Sequence, residues 1–125
     1  MSKRLNNYPD VNLTIDKFGA DALRFYLLSS PAVHADELNF SEKGLEEVYR
    51  KIISRLWNVY TFYETYPPAP SAFGQALAEN ILDKWINARL NQTTSEVTTA
   101  MEKYELDQAL RPLELFIDDL STWYL

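Results

Sequence analysis

The residues able to do chemistry are few and lie far apart in this sequence. Lys3 and Arg4 sit side by side in the opening stretch MSKRLNNYPD, ahead of Asn6, Asn7 and the Tyr8-Pro9 pair, with no apolar run to bury. His34 is the lone histidine; nucleophilic or metal chemistry would need partners, so it reads as a surface residue. Asp118 and Asp119 could suggest general acid/base work. Adjacent residues on a helix point about 100° apart, so the pair reads as a solvated helix edge. Trp57, Trp85 and Trp123 could stack bases, yet they fall at helical spacing inside apolar stripes and read as core. Lys43, Arg50, Lys51 and Arg55 form the densest basic cluster; Glu46 and Glu47 interrupt it, as on a salt-bridged helix face. The chain has no cysteine, which excludes disulfides and cysteine-ligated metal, and no metal site is expected.

The elements that must position these residues are helical. A chain of 125 residues can form one core, burying about two thirds of the surface its unfolded form exposes. No run approaches the roughly 18 apolar residues of a membrane span, and no signal peptide is visible, so a cytoplasmic protein without a membrane role is expected. The net charge of -6 is uneven: residues 1–62 hold eight basic and eight acidic side chains, residues 63–125 four and ten. Strong nucleic-acid binding by the chain alone is therefore not expected.

Two short helical pieces are predicted in DVNLTIDKFGADALRFYLLSSP, capped by Asn12, joined at a left-handed Gly19 and stopped by Pro31, with a loop over 32–40. Ser41 opens a long helix to about Tyr66, with Phe40 stapled onto Leu45 and the pairs Glu46/Arg50 and Glu47/Lys51 on its outer side. PPAPSAFG ends it. A second long helix is predicted from Gln75 to Tyr104, with Ile81, Leu82, Trp85, Ile86, Leu90, Val97 and Met101 as its stripe. A third starts near Asp107 and carries Leu110, Leu113, Phe116, Ile117, Leu120 and Tyr124; Pro112 should disturb its first turn. The fold class is thus all-α: two short helical segments, then an antiparallel bundle of three long helices. The apolar period still runs at the C-terminus, so both ends read as cuts.

Against this background MSKR followed by LNNYPD resembles the KMSKS-type loop of class I aminoacyl-tRNA synthetases, in the KMSKR variant with the continuation typical of the isoleucyl family. IDKFGADALRFYLLSSP resembles the segment after that loop, and LNFSEKGLEEVYRKI with LWNVYTFY the next helix. LDKWINARLN and YELDQALRPLELFIDDLSTWYL resemble the first helices of the anticodon-binding bundle. The loop continuation and the F-x-D-D-L-S-x-W-Y run point to the isoleucyl family over the valyl and leucyl ones, the nearest alternatives. The chain departs from the pattern at His34, where arginine is common, and at Pro112, where alanine is common. The motif's first lysine has no counterpart.

The resemblance implies that residues 1–40 are the loop and stem-contact segment ending a catalytic module, and 41–125 the start of an anticodon-binding domain. It implies a fragment of an enzyme that activates isoleucine with ATP and magnesium and charges tRNA(Ile). Lys3 would be the catalytic residue, contacting the ATP phosphates, with Met1, Ser2 and Arg4 completing the ATP-binding loop. The bundle would touch tRNA, with Lys84 and Arg89 as candidates, although about 140° separates them around a helix. The nucleotide-binding, editing and C-terminal parts of such an enzyme would be its partners. Lacking an H-x-G-H-type signature and an amino-acid pocket, the chain alone is expected to be inactive and to bind no cofactor tightly. The rival from another class is an α-helical protein-interaction module.

Overall fold

A computed structural model describes residues 9–66 and 80–125, and among them every regular element is helical. Helix α1 (Val11–Phe18) is capped by Asp10, whose carboxylate accepts the N–H groups of Asn12 at 2.8 Å and Leu13 at 3.2 Å. Asn12, the expected cap, therefore lies inside the helix; the charged carboxylate two residues earlier also complements the helix dipole. Gly19 joins α1 to α2 (Ala20–Leu28). Its φ of 84° is positive as expected, but its ψ of 154° places it in an extended mirror region that glycine alone occupies readily, not in the left-handed helical one. A Cβ there would meet no atom within 4 Å, so conformation and not space requires glycine.

The stretch expected to be a loop contains a 3-10 turn (Pro31–His34). Ser30 donates its hydroxyl to the Leu27 carbonyl at 2.6 Å and accepts the Ala32 N–H at 3.3 Å, so Pro31 opens this turn besides following α2.

Helix α3 covers 42–65 in three continuous parts, Glu42–Val48, a π-helical turn Tyr49–Ser54, and Arg55–Thr65. Ser41 caps it by accepting the Gly44 N–H at 3.2 Å, and Phe40 packs on the cluster that contains Leu45. The π turn accommodates an extra residue and rotates everything beyond it. Leu45 and Ile52 are buried, while Leu56, Tyr60 and Tyr63, placed on the same stripe by a uniform period, are exposed.

Helix α4 (Ile81–Glu102) starts at Ile81, because Asn80 is extended and its side chain accepts the Leu82 N–H at 2.9 Å. The expected start at Gln75 lies outside the described residues. Its buried face is Ile86, Thr93 and Ala100; Ile81, Leu82, Leu90 and Met101 are exposed, contrary to the expected stripe. The helix closes in a Schellman motif: Tyr104 N–H reaches the Met101 carbonyl and Glu105 N–H the Ala100 carbonyl, each at 3.0 Å. Tyr104 has φ 59°, unusual for a residue with a side chain. Helix α5 (Leu106–Asp119) runs on into a π turn (Leu120–Tyr124), buries Ala109, Leu110 and Ile117, and continues unbroken through Pro112.

The bundle is organised around α5. Arg89 pairs with Asp119 and Tyr124 with Asp83, so α4 and α5 are antiparallel. Arg55 pairs with Asp118, and Lys51 and Glu114 line one small cleft, so α3 and α5 run in the same direction. Among the described residues α5 packs on both, and no substantial packing joins α3 directly to α4. The remaining core lies where α1 and α2 meet the start of α3: Phe18, Ala22 and Leu45, flanked by Leu23, Tyr26, Phe40 and Ile53. The all-α expectation holds.

Candidate functional site

The chemistry-bearing residues fall into two places. Met1, Ser2, Lys3 and Arg4 lie outside the described residues. The described residues begin after them, with Asp10 as the cap of α1. There Thr14 is buried and donates its hydroxyl to the Asp10 carbonyl at 2.8 Å, tying the first turn of α1 to its cap. Phe18 then enters the core, meeting Tyr49 edge-on with ring centroids 6.1 Å apart.

The second place is α4. Lys84 is exposed, and among the described residues no carboxylate pairs with it. Arg89 is committed inside the fold. Its Nε donates to Asp119 at 2.7 Å and a terminal nitrogen to Gln92 at 2.9 Å, while Gln92 donates in turn to Glu96 at 2.7 Å. About a quarter of each side chain in the Arg89–Asp119 pair is exposed. The structure thus separates the two basic candidates by environment as well as by angle.

Asp118 is exposed, as expected of a solvated edge, but Asp119 is about three-quarters buried and both carboxylates are paired. The 100° between them lets Asp118 bond Arg55 of α3 while Asp119 bonds Arg89 of α4. The basic cluster is salt-bridged as expected, but only Glu47–Lys51 of the two anticipated pairs forms, at 2.7 Å. That contact holds the Glu47 carboxyl low and, with the added charge of Glu114, the Lys51 ammonium high. His34 is at the surface, with Nε2 3.2 Å from a carboxylate oxygen of Asp107.

The tryptophans overturn their core reading: Trp57 is 66% and Trp123 69% exposed, and only Trp85 is half-buried. Trp57 lies 5.6 Å from Tyr60, ring to ring, and both line an open apolar groove of about 670 Å³ between the second half of α3 and the chain's last residues. Leu56, Tyr63, Leu120 and Leu125 are among the other apolar residues of its wall. Tyr124, also on that wall, donates to Asp83 at 2.8 Å; this bond and partial burial raise its phenol above the usual range. Amphipathic spacing was the signal for these residues, but spacing does not say whether a covering partner belongs to the same segment. Among the described residues no three His, Cys, Asp or Glu side chains converge to hold a metal, and no helix is long and apolar enough to cross a membrane.

Comparison with known proteins gives this geometry a family context. Residues 1–40 match the model of class I tRNA synthetases (I, L, M and V), and residues 83–125 that of the anticodon-binding domain of tRNA ligases. The whole chain is 45% identical over 129 aligned residues to isoleucine-tRNA ligase of Protochlamydia amoebophila. Identity is 43% to that of Chlamydia pneumoniae and 41% to that of Chlamydia trachomatis serovar D. In each case all of this chain is covered, and it spans 12% of the relative's length.

Proposed function

We propose that this chain, homologous along its whole length to a segment of isoleucine-tRNA ligases, joins the ATP-phosphate loop of such a ligase to its tRNA-binding helices. The observation that supports this reading is the similarity over all of the chain, with a synthetase model at one end and an anticodon-binding model at the other. Residues 1–40 end the catalytic module and 41–125 begin the helical anticodon-binding domain. The whole ligase activates isoleucine with ATP, accompanied by magnesium, and transfers it to tRNA(Ile) in the cytoplasm.

In that reaction charge builds on the departing phosphates, and Lys3 donates to them from the loop formed with Met1, Ser2 and Arg4. One donor aimed at developing charge is worth about 3 kcal/mol. Of the two basic residues of α4, Lys84 and Arg89, Lys84 is the one proposed to face tRNA. Because Arg89 is bonded to Asp119, Lys84 supplies the freer phosphate contact and Arg89 holds the helix that carries it.

Isoleucine-dependent ATP/pyrophosphate exchange tests the assignment. The full-length ligase containing this chain should exchange, and Lys3→Ala should lower its rate about 100-fold. The chain alone should give no signal, since positioning of ATP comes from the remaining parts. Exchange unaffected by Lys3→Ala, or robust exchange by the chain alone, would refute the assigned roles. The exposed groove favours one other reading, a helical protein-interaction module. Salt-sensitive tRNA binding separates the two, because phosphate contacts weaken as salt rises.

A further inference from the structure

We infer that Tyr26 is a positioning residue of the ligase proposed above, setting the angle at which the loop-bearing segment meets the helical bundle. The inference rests on that functional reading and concerns the joint between its two parts. Tyr26 stands on α2, within the segment that matches the synthetase model, and its contacts gather where that segment gives way to α3.

The ring meets Phe40 edge-on, with centroids 5.4 Å apart and planes at 73°. The hydroxyl accepts the backbone N–H of Ser41, the cap of α3, at 3.0 Å. The ring edge also closes over Gly44: a Cβ built on that glycine would stand 3.0 Å from Cε2 of Tyr26. Glycine is a poor helix former, and this approach is a physical reason for its presence in the first turn of α3. One side chain therefore fixes a loop residue, a helix cap and a helix backbone relative to α2.

A second tether runs parallel to the first, from Lys17 of α1 to Glu42 of α3 at 2.6 Å, with the Lys17 ammonium 4.8 Å from the centre of the Phe18 ring. Both Lys17 and Glu42 are largely exposed, so water and salt screen this tether, whereas the Tyr26 contacts depend on shape. Helices α1 and α2 follow directly on the opening stretch. An angular error at residues 40–44 consequently changes how the α1–α2 segment is presented to the helical bundle, and with it how a tRNA held by the bundle would meet the catalytic part; small misplacements far from the chemistry can cost a large factor in rate.

The test is steady-state kinetics on the full-length ligase, with tRNA-free exchange and tRNA charging measured side by side. Tyr26→Phe keeps the ring and removes the acceptor; Gly44→Ala presses a methyl against the ring; Tyr26→Leu removes the ring. Tyr26→Phe and Gly44→Ala should each lower kcat for charging about tenfold, with KM for tRNA, exchange rate and melting temperature unchanged. In the Tyr26→Leu background, Gly44→Ala should have no further effect. Unchanged charging in both single variants overturns the role. So does a fall that tracks melting temperature, or one shared equally by exchange and charging. Absence of isoleucine-dependent exchange in the unsubstituted ligase instead refutes the functional reading itself.

Discussion

The two ends of α3 are held by different physics. Its first turns close a small apolar core with α1 and α2, in which Leu45 and Ala22 have no exposed surface. Its second half meets α5 through the charged pair Arg55–Asp118 and leaves Leu56, Trp57, Tyr60 and Tyr63 open to solvent. Burial needs no orientation beyond shape, so the first region can be complete in itself. Ion pairs align helices without covering them, so the second keeps a large apolar surface uncovered.

The contrast can be broken by substitution. Truncating the core should cost most: Leu45→Ala is expected to lower unfolding free energy by about 3 kcal/mol in urea titration, through lost burial and the cavity left behind. If the loss is under 1 kcal/mol by the same estimate, the first region is not held by its core. Next comes the half-buried ion pair. Asp119→Ala strands the Arg89 guanidinium and should cost about 2 kcal/mol, whereas Asp118→Ala, at a more exposed pair, should cost under about 1 kcal/mol and be masked by high salt. Equal losses would remove the distinction between the two clamps.

A gain is expected at Tyr104. Replacing this exposed residue of positive φ by glycine relieves the crowding of its Cβ and should raise stability by about 1 kcal/mol, read as a higher melting temperature. The smallest effect is a pH dependence. The Tyr124 phenol is raised in the folded state by its bond to Asp83, so the stabilisation is complete below the unfolded-state value near 10 and is lost as pH rises through the folded one. Tyr124→Phe should flatten stability over that alkaline range; an unaltered slope would show that the bond contributes nothing.

Local signals were the legible ones. Ser41 and Phe40 announce the start of α3, and the prolines after Tyr66 its end, because capping and helix breaking are decided within a few residues. Failures arise where distant residues decide. Nothing near Asp118 or Asp119 names Arg55, 63 positions away, or Arg89, 30 away. Trp57 and Trp123 fit an apolar stripe, yet the stripe's partner is not supplied by the described residues. The cap moved from Asn12 to Asp10 because two good capping residues stand two apart, and only the backbone turn after Pro9 selects between them. For the candidate site, the proposed loop residues rest on family resemblance alone, while the commitment of Arg89 to Asp119 needed the packed helices.

The π turn at Tyr49–Ser54 works as a phase shifter. One added residue turns the remainder of α3 by about 100°, so the face presented to α5 at Arg55 differs from the one an even winding would present. A single-residue deletion there would leave the packing of Leu45 on α1 and α2 in place, yet would dial Arg55 away from Asp118 and swing the aromatic wall round with it. Along this helix, residue count is itself a structural variable, and a sequence comparison that absorbs one gap within 49–54 compares two different surfaces.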